Sequence, residues 1–264
     1  MAKQLGQLES LLFAHVQMRG LRVVRTGDLT GPLRISTKQE RELLSRMARS
    51  GIIAQVKRGL YLVPERLPLG GKWSPDEGLA LNTLMQEYQG RYQVCGPNAF
   101  LRYGFDEQVP TRVYAYNDRL SGDRKIGAVS LTLIKVSNSR LGDVERVKTP
   151  DKSVIVYSSR ARTLMDAVYD WSRFGSLPRA YEWIRKDLEA KLVSPAELIK
   201  ATIQYGNQGT SRRIGVLLER LGISDSMLKK LQRILKPSRS LIPWIPDAPK
   251  RGTINRRWGI IFNE

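Results

Sequence analysis

The chain of 264 residues has one cysteine, Cys95, and one histidine, His15. An intrachain disulfide is therefore impossible, which fits a reducing compartment. A zinc site built from Cys and His within the chain is excluded too, because such sites take four ligands. His15 falls on the first helical segment without the partner set that general-base work needs, and Cys95 as a nucleophile would need His15 brought across from that segment. No apolar run approaches the roughly 20 residues that span a bilayer. The opening MAKQLGQLESLL lacks the basic-then-apolar order of a secretory signal, and no lipidation motif is present. The expectation is a cytoplasmic protein with no membrane partner and no bound metal.

Acidic residues are scarce as well: 25 Asp and Glu stand against 44 Lys and Arg, a net charge of +19. Self-repulsion of that size disfavours compaction but attracts polyanions. Nucleic acid leads among them, because neutralising phosphates releases counterions. The hydrophobic share of 41% is enough for a core and excludes global disorder. Charge is unevenly spread. Residues 1–70 carry twelve basic and five acidic side chains, whereas residues 71–111 carry three and five. The change of sign supports a domain boundary near residue 70. Pro68, Gly70 and Gly71 mark residues 67–73 as a linker between a domain at 1–66 and a larger one at 74–264.

Residues 36–64, STKQERELLSRMARSGIIAQVKRGLYLVP, read as a helix, a break and a β-hairpin with a basic tip. Before them, Leu5, Leu8, Leu11, Leu12 and Val16 lie at helical spacing up to a C-cap at Gly20, Val23 and Val24 suit a short strand, and Asp28–Leu33 a short helix. Thr37 with Glu40 makes a capping box, and Ser36 with Gln39 offers an alternative. At about 100° per residue, Lys38, Arg41, Glu42, Ser45 and Arg49 share one face with Gln39 at its edge, while Leu43, Leu44 and Met47 share the other. Long basic groups alternating with hydrogen-bonding groups suit a helix lying in a DNA groove, although a solvated surface helix has the same pattern. Ile53, Val56, Leu60 and Leu62 supply the hairpin strands, and Lys57-Arg58-Gly59 the bend. A helix backed by such a hairpin predicts a winged helix-turn-helix. Lys38, Gln39, Arg41, Ser45 and Arg49 would then face the groove, with Lys57 and Arg58 on phosphates.

The remainder predicts an α+β fold, with the winged helix-turn-helix followed by a mixed α/β C-terminal domain. Ser74-Pro75-Asp76-Glu77 reads as a helix start with Ser74 as N-cap. Strands are expected at 92–94, 112–116, 129–136, 154–157 and 256–262, with 118–127 as a connector. Helices are expected from Ser159 to Trp171 and at 177–191, 194–205, 210–221 and 225–235, the second of these four opened by the Ser194–Glu197 box. Arg212, Arg213, Arg220, Lys229, Lys230 and Arg233 make the last two helices strongly cationic, a possible second polyanion-binding surface for DNA or RNA. Asp166, Asp170, Glu182 and Asp187 read as helix-surface charges. The loop Gly206–Ser211 lacks the spacing and the Lys-Ser/Thr ending of a phosphate loop, so no nucleotide cofactor is expected.

The run SGIIAQVKRGLYLVP resembles the wing of the AbiEi-like antitoxins of abortive-infection, type IV toxin–antitoxin pairs, at Gly51, Lys57, Arg58, Gly59 and Tyr61. The resemblance extends to Arg162, Thr163, Leu164 and Asp166, to Arg213, Gly215, Leu217, Leu218, Glu219 and Gly222, and to Trp258 and Asn263. Residues 117–150 match nothing in it. The resemblance implies a repressor of its own operon that binds double-stranded operator DNA and counteracts a nucleotidyltransferase-like toxin without a required stable complex. The residues themselves lead to the expectation that the chain is not an enzyme. Two rivals remain at this level. One is a plain transcriptional repressor. The other is a metal-dependent nuclease using Asp151, Glu189 and Lys191, but Glu189 and Lys191 fall on an expected helix, where residues two apart face different ways.

Overall fold

The computed structural model describes residues 6–66, 72–149 and 153–264. The chain opens with α1 (Gln7–Arg19), which buries Leu12, Phe13 and Val16 and stops at Gly20 in the left-handed conformation, φ 60°. Next come β1 (Val23–Arg25), α2 (Thr30–Leu33), α3 (Thr37–Arg49), β2 (Ala54–Lys57) and β3 (Leu60–Leu62). The strands form an antiparallel sheet of order β1-β3-β2, with Val24 opposite Tyr61 and Gln55 opposite Tyr61 on its other side. A hydrophobic core of residues between 8 and 63 holds these elements together; Leu12, Val16, Leu29, Leu43, Leu44 and Met47 are its centre. Burying each such side chain stabilises by about 1.5–3 kcal/mol relative to exposure. This is the expected winged helix-turn-helix.

After it follow α4 (Glu77–Glu87), β4 (Tyr92–Val94), α5 (Gly96–Arg102), β5 (Val113–Asn117), β6 (Gly122–Ile126), β7 (Val129–Lys135), β8 (Val144–Lys148) and β9 (Val154–Ser158). The N-cap of α4 is Asp76, whose carboxylate accepts from the Leu79 amide at 3.0 Å, and not Ser74 as expected. Ser74 is engaged elsewhere: its Oγ accepts from the Ala128 amide at 2.9 Å. The stretch expected as a connector contains a strand, β6, paired antiparallel with β7, which itself runs parallel to β5. Strand β8 was not expected either. The order of this sheet is β6-β7-β5-β4-β9-β8, so both unexpected strands are edges.

The rest is mainly helical: α6 (Arg160–Tyr169), α7 (Trp171–Phe174), α8 (Arg179–Glu189), α9 (Pro195–Tyr205), α10 (Gln208–Arg220) and α11 (Asp225–Gln232), then β10 (Ile242–Pro243), β11 (Thr253–Asn255) and β12 (Ile260–Phe262). The expected Ser194–Glu197 capping box is present at α9. The strand expected from Arg256 begins only at Ile260; Gly259 turns at φ 65°, and β11 precedes the turn as the antiparallel partner of β12. The whole is an α+β fold of helices and mixed sheets.

Packing divides the chain into two compact units. One gathers Met1–Tyr92, Thr111–Lys135 and Arg146–Ile155, and the other gathers Gln93–Pro110, Val136–Glu145 and Val156–Glu264. Of the linker expected at 67–73, residues 67–71 lie outside the described residues, and Lys72 and Trp73 fall within the first unit. The second unit has its own core, including Leu164, Val168, Ile184, Leu198, Ile214 and Trp258. A Cβ on Gly215 would sit 2.1 Å from Trp258 Cζ3, so only glycine lets the indole lie on α10. The indole Nε1 donates to Glu219 at 3.1 Å. Gly215, Glu219 and Trp258 therefore form one packing unit.

Two charge assignments are corrected by this unit. Asp166 is 1% exposed and sits between Arg140 and Arg162, at 2.9 and 2.8 Å, with Arg162 itself fully buried. Asp187 is buried against Arg160. Neither is a helix-surface charge, because each neutralises guanidinium groups that the helices enclose. Arg162 also lies over the Tyr205 ring, 3.9 Å from its centroid.

Candidate nucleic-acid interface

The sequence of α3 separates cleanly into two faces. Leu43, Leu44 and Met47 are buried, whereas Lys38, Gln39, Arg41, Glu42, Ser45 and Arg49 are exposed. Among the described residues, the side chains of Lys38, Arg41 and Arg49 have no hydrogen-bonding or ion-pair partner. Their charges are therefore available to a polyanion without first breaking an internal pair.

Of the two possible helix starts, the Ser36–Gln39 box is the one that forms. Ser36 Oγ accepts from the Gln39 amide at 3.2 Å, and Gln39 Oε1 accepts from the Ser36 amide at 2.8 Å. Gln39, expected to face the groove, thus has its carbonyl oxygen committed to the cap. Glu40 does not cap Thr37. It is completely buried, and its carboxylate accepts from the amides of Gly27 at 2.7 Å and Leu29 at 2.8 Å. That pair of bonds ties the approach to α2 onto α3. Arg46 is drawn aside by Glu9 at 3.3 Å.

The wing turns through Arg58-Gly59, with Gly59 at φ 79°, as a tight hairpin requires. A register shift between Gln55 and Lys57 adds local twist to β2. Arg58 is exposed at the tip and unpaired among the described residues. Lys57 differs from expectation. Its ammonium lies 2.7 Å from Glu87, whose other oxygen holds Arg25 at 2.5 Å, and it sits 5.6 Å from the centroid of the Tyr88 ring. Hydrogen bonds from Arg25 and then Lys57 hold the Glu87 carboxyl at about 2, well below its ordinary value. The carboxylate end of α4 therefore clamps the wing beside its tip, and Lys57 is paired before any phosphate approaches.

Beside α3 lies a groove of about 680 Å³. Ser45 and Arg49 of α3 line it together with Gln55, Lys72, Trp73 and Lys125. Gln55, Lys72 and Lys125 were not singled out from the sequence. Gln55 alternates outward on β2 and could have been found from that pattern; Lys72 and Lys125 come from the linker and the unmatched stretch, where no local signal marks them.

The second basic surface is smaller than the sequence suggested. Arg212 and Arg213 are each only 7% exposed and are used internally, donating to the carbonyls of Ser240 and Pro243. Arg220 pairs with Glu264 at 2.7 Å, and Lys229 with Asp225 at 3.2 Å. Lys230 and Arg233 remain exposed and unpaired among the described residues. Of the nuclease set, Asp151 lies outside the described residues. Glu189 is held by Arg185 through both oxygens, at 2.7 and 2.9 Å, and Lys191 follows the end of α8 at φ 56°. Among the described residues no three His, Cys, Asp or Glu side chains cluster as metal ligands would. No helix of the described residues is long and apolar enough to cross a membrane.

Residues 10–64 match the model of a family described as "Transcriptional regulator, AbiEi antitoxin". The match ends with the wing. No curated protein matches the chain. Among solved structures, the RV2827C protein from Mycobacterium tuberculosis is similar with a TM-score of 0.61 at 14% identity, covering 98% of this chain and 92% of that one. At that identity the likeness is one of fold, and it runs along nearly the whole chain.

Proposed function

We propose that the chain is an antitoxin-type transcriptional regulator. Residues 1–66 bind double-stranded operator DNA and repress the protein's own operon, and residues 74–264 counteract a nucleotidyltransferase-like toxin. One observation carries the DNA-binding half: the winged helix presents Lys38, Arg41 and Arg49 on the exposed face of α3 without internal partners among the described residues. The family match at residues 10–64 supports the same reading. In this reading α3 enters the major groove. Ser45 and Arg49 face base edges, where an arginine can bind guanine O6 and N7 together. Lys38, Arg41 and Arg58 take phosphates and fix the register. The regulatory half rests on the family description alone.

The test is fluorescence anisotropy on duplex DNA from upstream of the chain's own gene. Arg49→Ala should weaken binding by about 1–3 kcal/mol and relax preference at one base pair. An affinity unchanged at matched salt in Arg41→Ala/Arg49→Ala would refute the groove assignment. Co-expression with the toxin encoded beside it tests the second half: full-length protein should restore growth, and repression without protection would leave a plain repressor.

A further inference from the structure

The groove beside α3 has a lining that the winged helix alone does not supply. Lys72 precedes α4, and Lys125 belongs to β6, yet both meet Arg49 at this one concavity. All three cations are exposed, and none has a side-chain partner among the described residues. The contrast with neighbouring cations matters. Arg22 is paired with Glu65, Arg25 and Lys57 with Glu87, and Arg46 with Glu9.

The placement is built into the backbone. The Trp73 amide donates to the Gly51 carbonyl at 2.8 Å, which fixes residue 72 at the end of α3. The Ala128 amide donates to Ser74 Oγ at 2.9 Å, which seats the β6–β7 turn against the same segment. Gly127 in that turn has φ 62°, and a Cβ there would lie 2.9 Å from Pro75 Cδ and 3.3 Å from Ala54 Cβ. The hairpin therefore approaches as closely as a glycine permits. A groove lined by Trp73 and by two uncompensated lysines, next to Arg49, suits a chain of sugars linked by phosphates.

We infer that this groove seats one sugar–phosphate strand of the duplex whose major groove receives α3, with Lys72 and Lys125 as phosphate ligands. The inference rests on the DNA-binding reading above and extends the contact beyond the winged helix. The two lysines act on every sequence alike, because phosphates carry no base identity. Their contribution is seen in the salt dependence. Each phosphate contact adds about 0.9 to the slope of log affinity against log salt.

The experiment compares full-length wild type, Lys72→Ala/Lys125→Ala, Lys72→Arg/Lys125→Arg and Arg49→Ala on the duplex from upstream of the chain's own gene and on single-stranded RNA, across a salt series. The double alanine variant should lower the duplex slope by about 1.8, so that a fourfold rise in salt weakens the wild type about tenfold more than the variant. The double arginine variant should restore the slope. Both alanine substitutions are at exposed, unpaired side chains, so the melting temperature should not move, and a melt checks this. An unchanged slope in the double alanine variant, with Arg49→Ala still weakened, overturns the groove assignment and leaves the winged-helix reading standing. No effect of Arg49→Ala overturns that reading instead. Loss of RNA binding with duplex binding intact replaces the duplex with RNA as the occupant and refutes the inference.

Discussion

Glu40 offers the most direct test of how the winged helix is held. It is a fully buried carboxylate on the inner side of α3, and its two bonds are to the amides of Gly27 and Leu29. Glu40→Gln keeps the shape and removes the charge. The amide side chain offers one acceptor oxygen and one NH₂, so one of the two backbone N–H groups must face a donor. A hydrogen bond to a charged group contributes about 1.5–3 kcal/mol, and an orphaned buried donor costs about 1–3 kcal/mol. Against this, the variant no longer keeps a carboxylate out of water, which offsets part of the loss.

The net expectation is a destabilisation of about 2 kcal/mol, or about thirtyfold in an opening equilibrium. The assay is native-state hydrogen exchange, which resolves local opening from global unfolding. Protection at the Leu29 amide should fall about thirtyfold, while amides of the second unit's core, such as those of α6, keep theirs. A Gln variant that protects Leu29 as well as the wild type would refute the assignment of Glu40 as the tie between α2 and α3. Glu40→Asp gives an internal check. It retains the charge but shortens the reach, so it should fall between the two.

Two further outcomes follow from charges that the fold encloses. Asp166→Asn leaves Arg162 and Arg140 without their shared anion and should cost about 3–5 kcal/mol in urea unfolding; an unchanged midpoint would mean that the buried cluster is not an ion pair network. For Glu87 the folded value of about 2 lies below the ordinary 4.5, so its stabilisation is fully present above pH 4.5 and is lost as pH falls towards 2. Glu87→Gln should therefore flatten the wild-type acid limb in that window, and a gap between the two proteins that stays constant across it would rule out the clamp.

The sequence made most of the helices legible because their caps and apolar spacing are local signals. It could not choose between the two boxes that open α3. The choice depends on where Glu40 goes, and that is decided by Gly27 and Leu29. Strands β6 and β8 were illegible for a different reason. They are edges, and β6 reads Gly-Asp-Arg-Lys-Ile with only its last residue buried, so no alternation of apolar residues marks it. Its strand character comes from its pairing with β7. Arg212 and Arg213 look like surface cations in any one-dimensional reading. The Ser240–Pro243 segment covers them and supplies their carbonyl partners. Lys72 and Lys125 carry the opposite lesson: their meeting depends on two backbone bonds, at Trp73 and Ala128, that have no signature in the sequence.

The net charge of +19 is therefore a poor map of where a polyanion would bind. Cations here have separable uses. Arg140 and Arg162 neutralise a buried carboxylate, and Arg25 and Lys57 hold the wing to α4. Lys38, Arg41, Arg49, Arg58, Lys72 and Lys125 have no such duty among the described residues. A phosphate approaching a paired cation must compete with its carboxylate, which removes part of the gain even where an exposed pair is worth only about 0–1 kcal/mol. A phosphate approaching an unpaired cation meets no competitor and releases its own counterion. Affinity and its salt dependence should then follow the unpaired set rather than the total. Six of that set lie on α3, at the tip of the wing and along the neighbouring groove, and among the described residues Glu42, the exposed acid of α3, holds none of them in an ion pair.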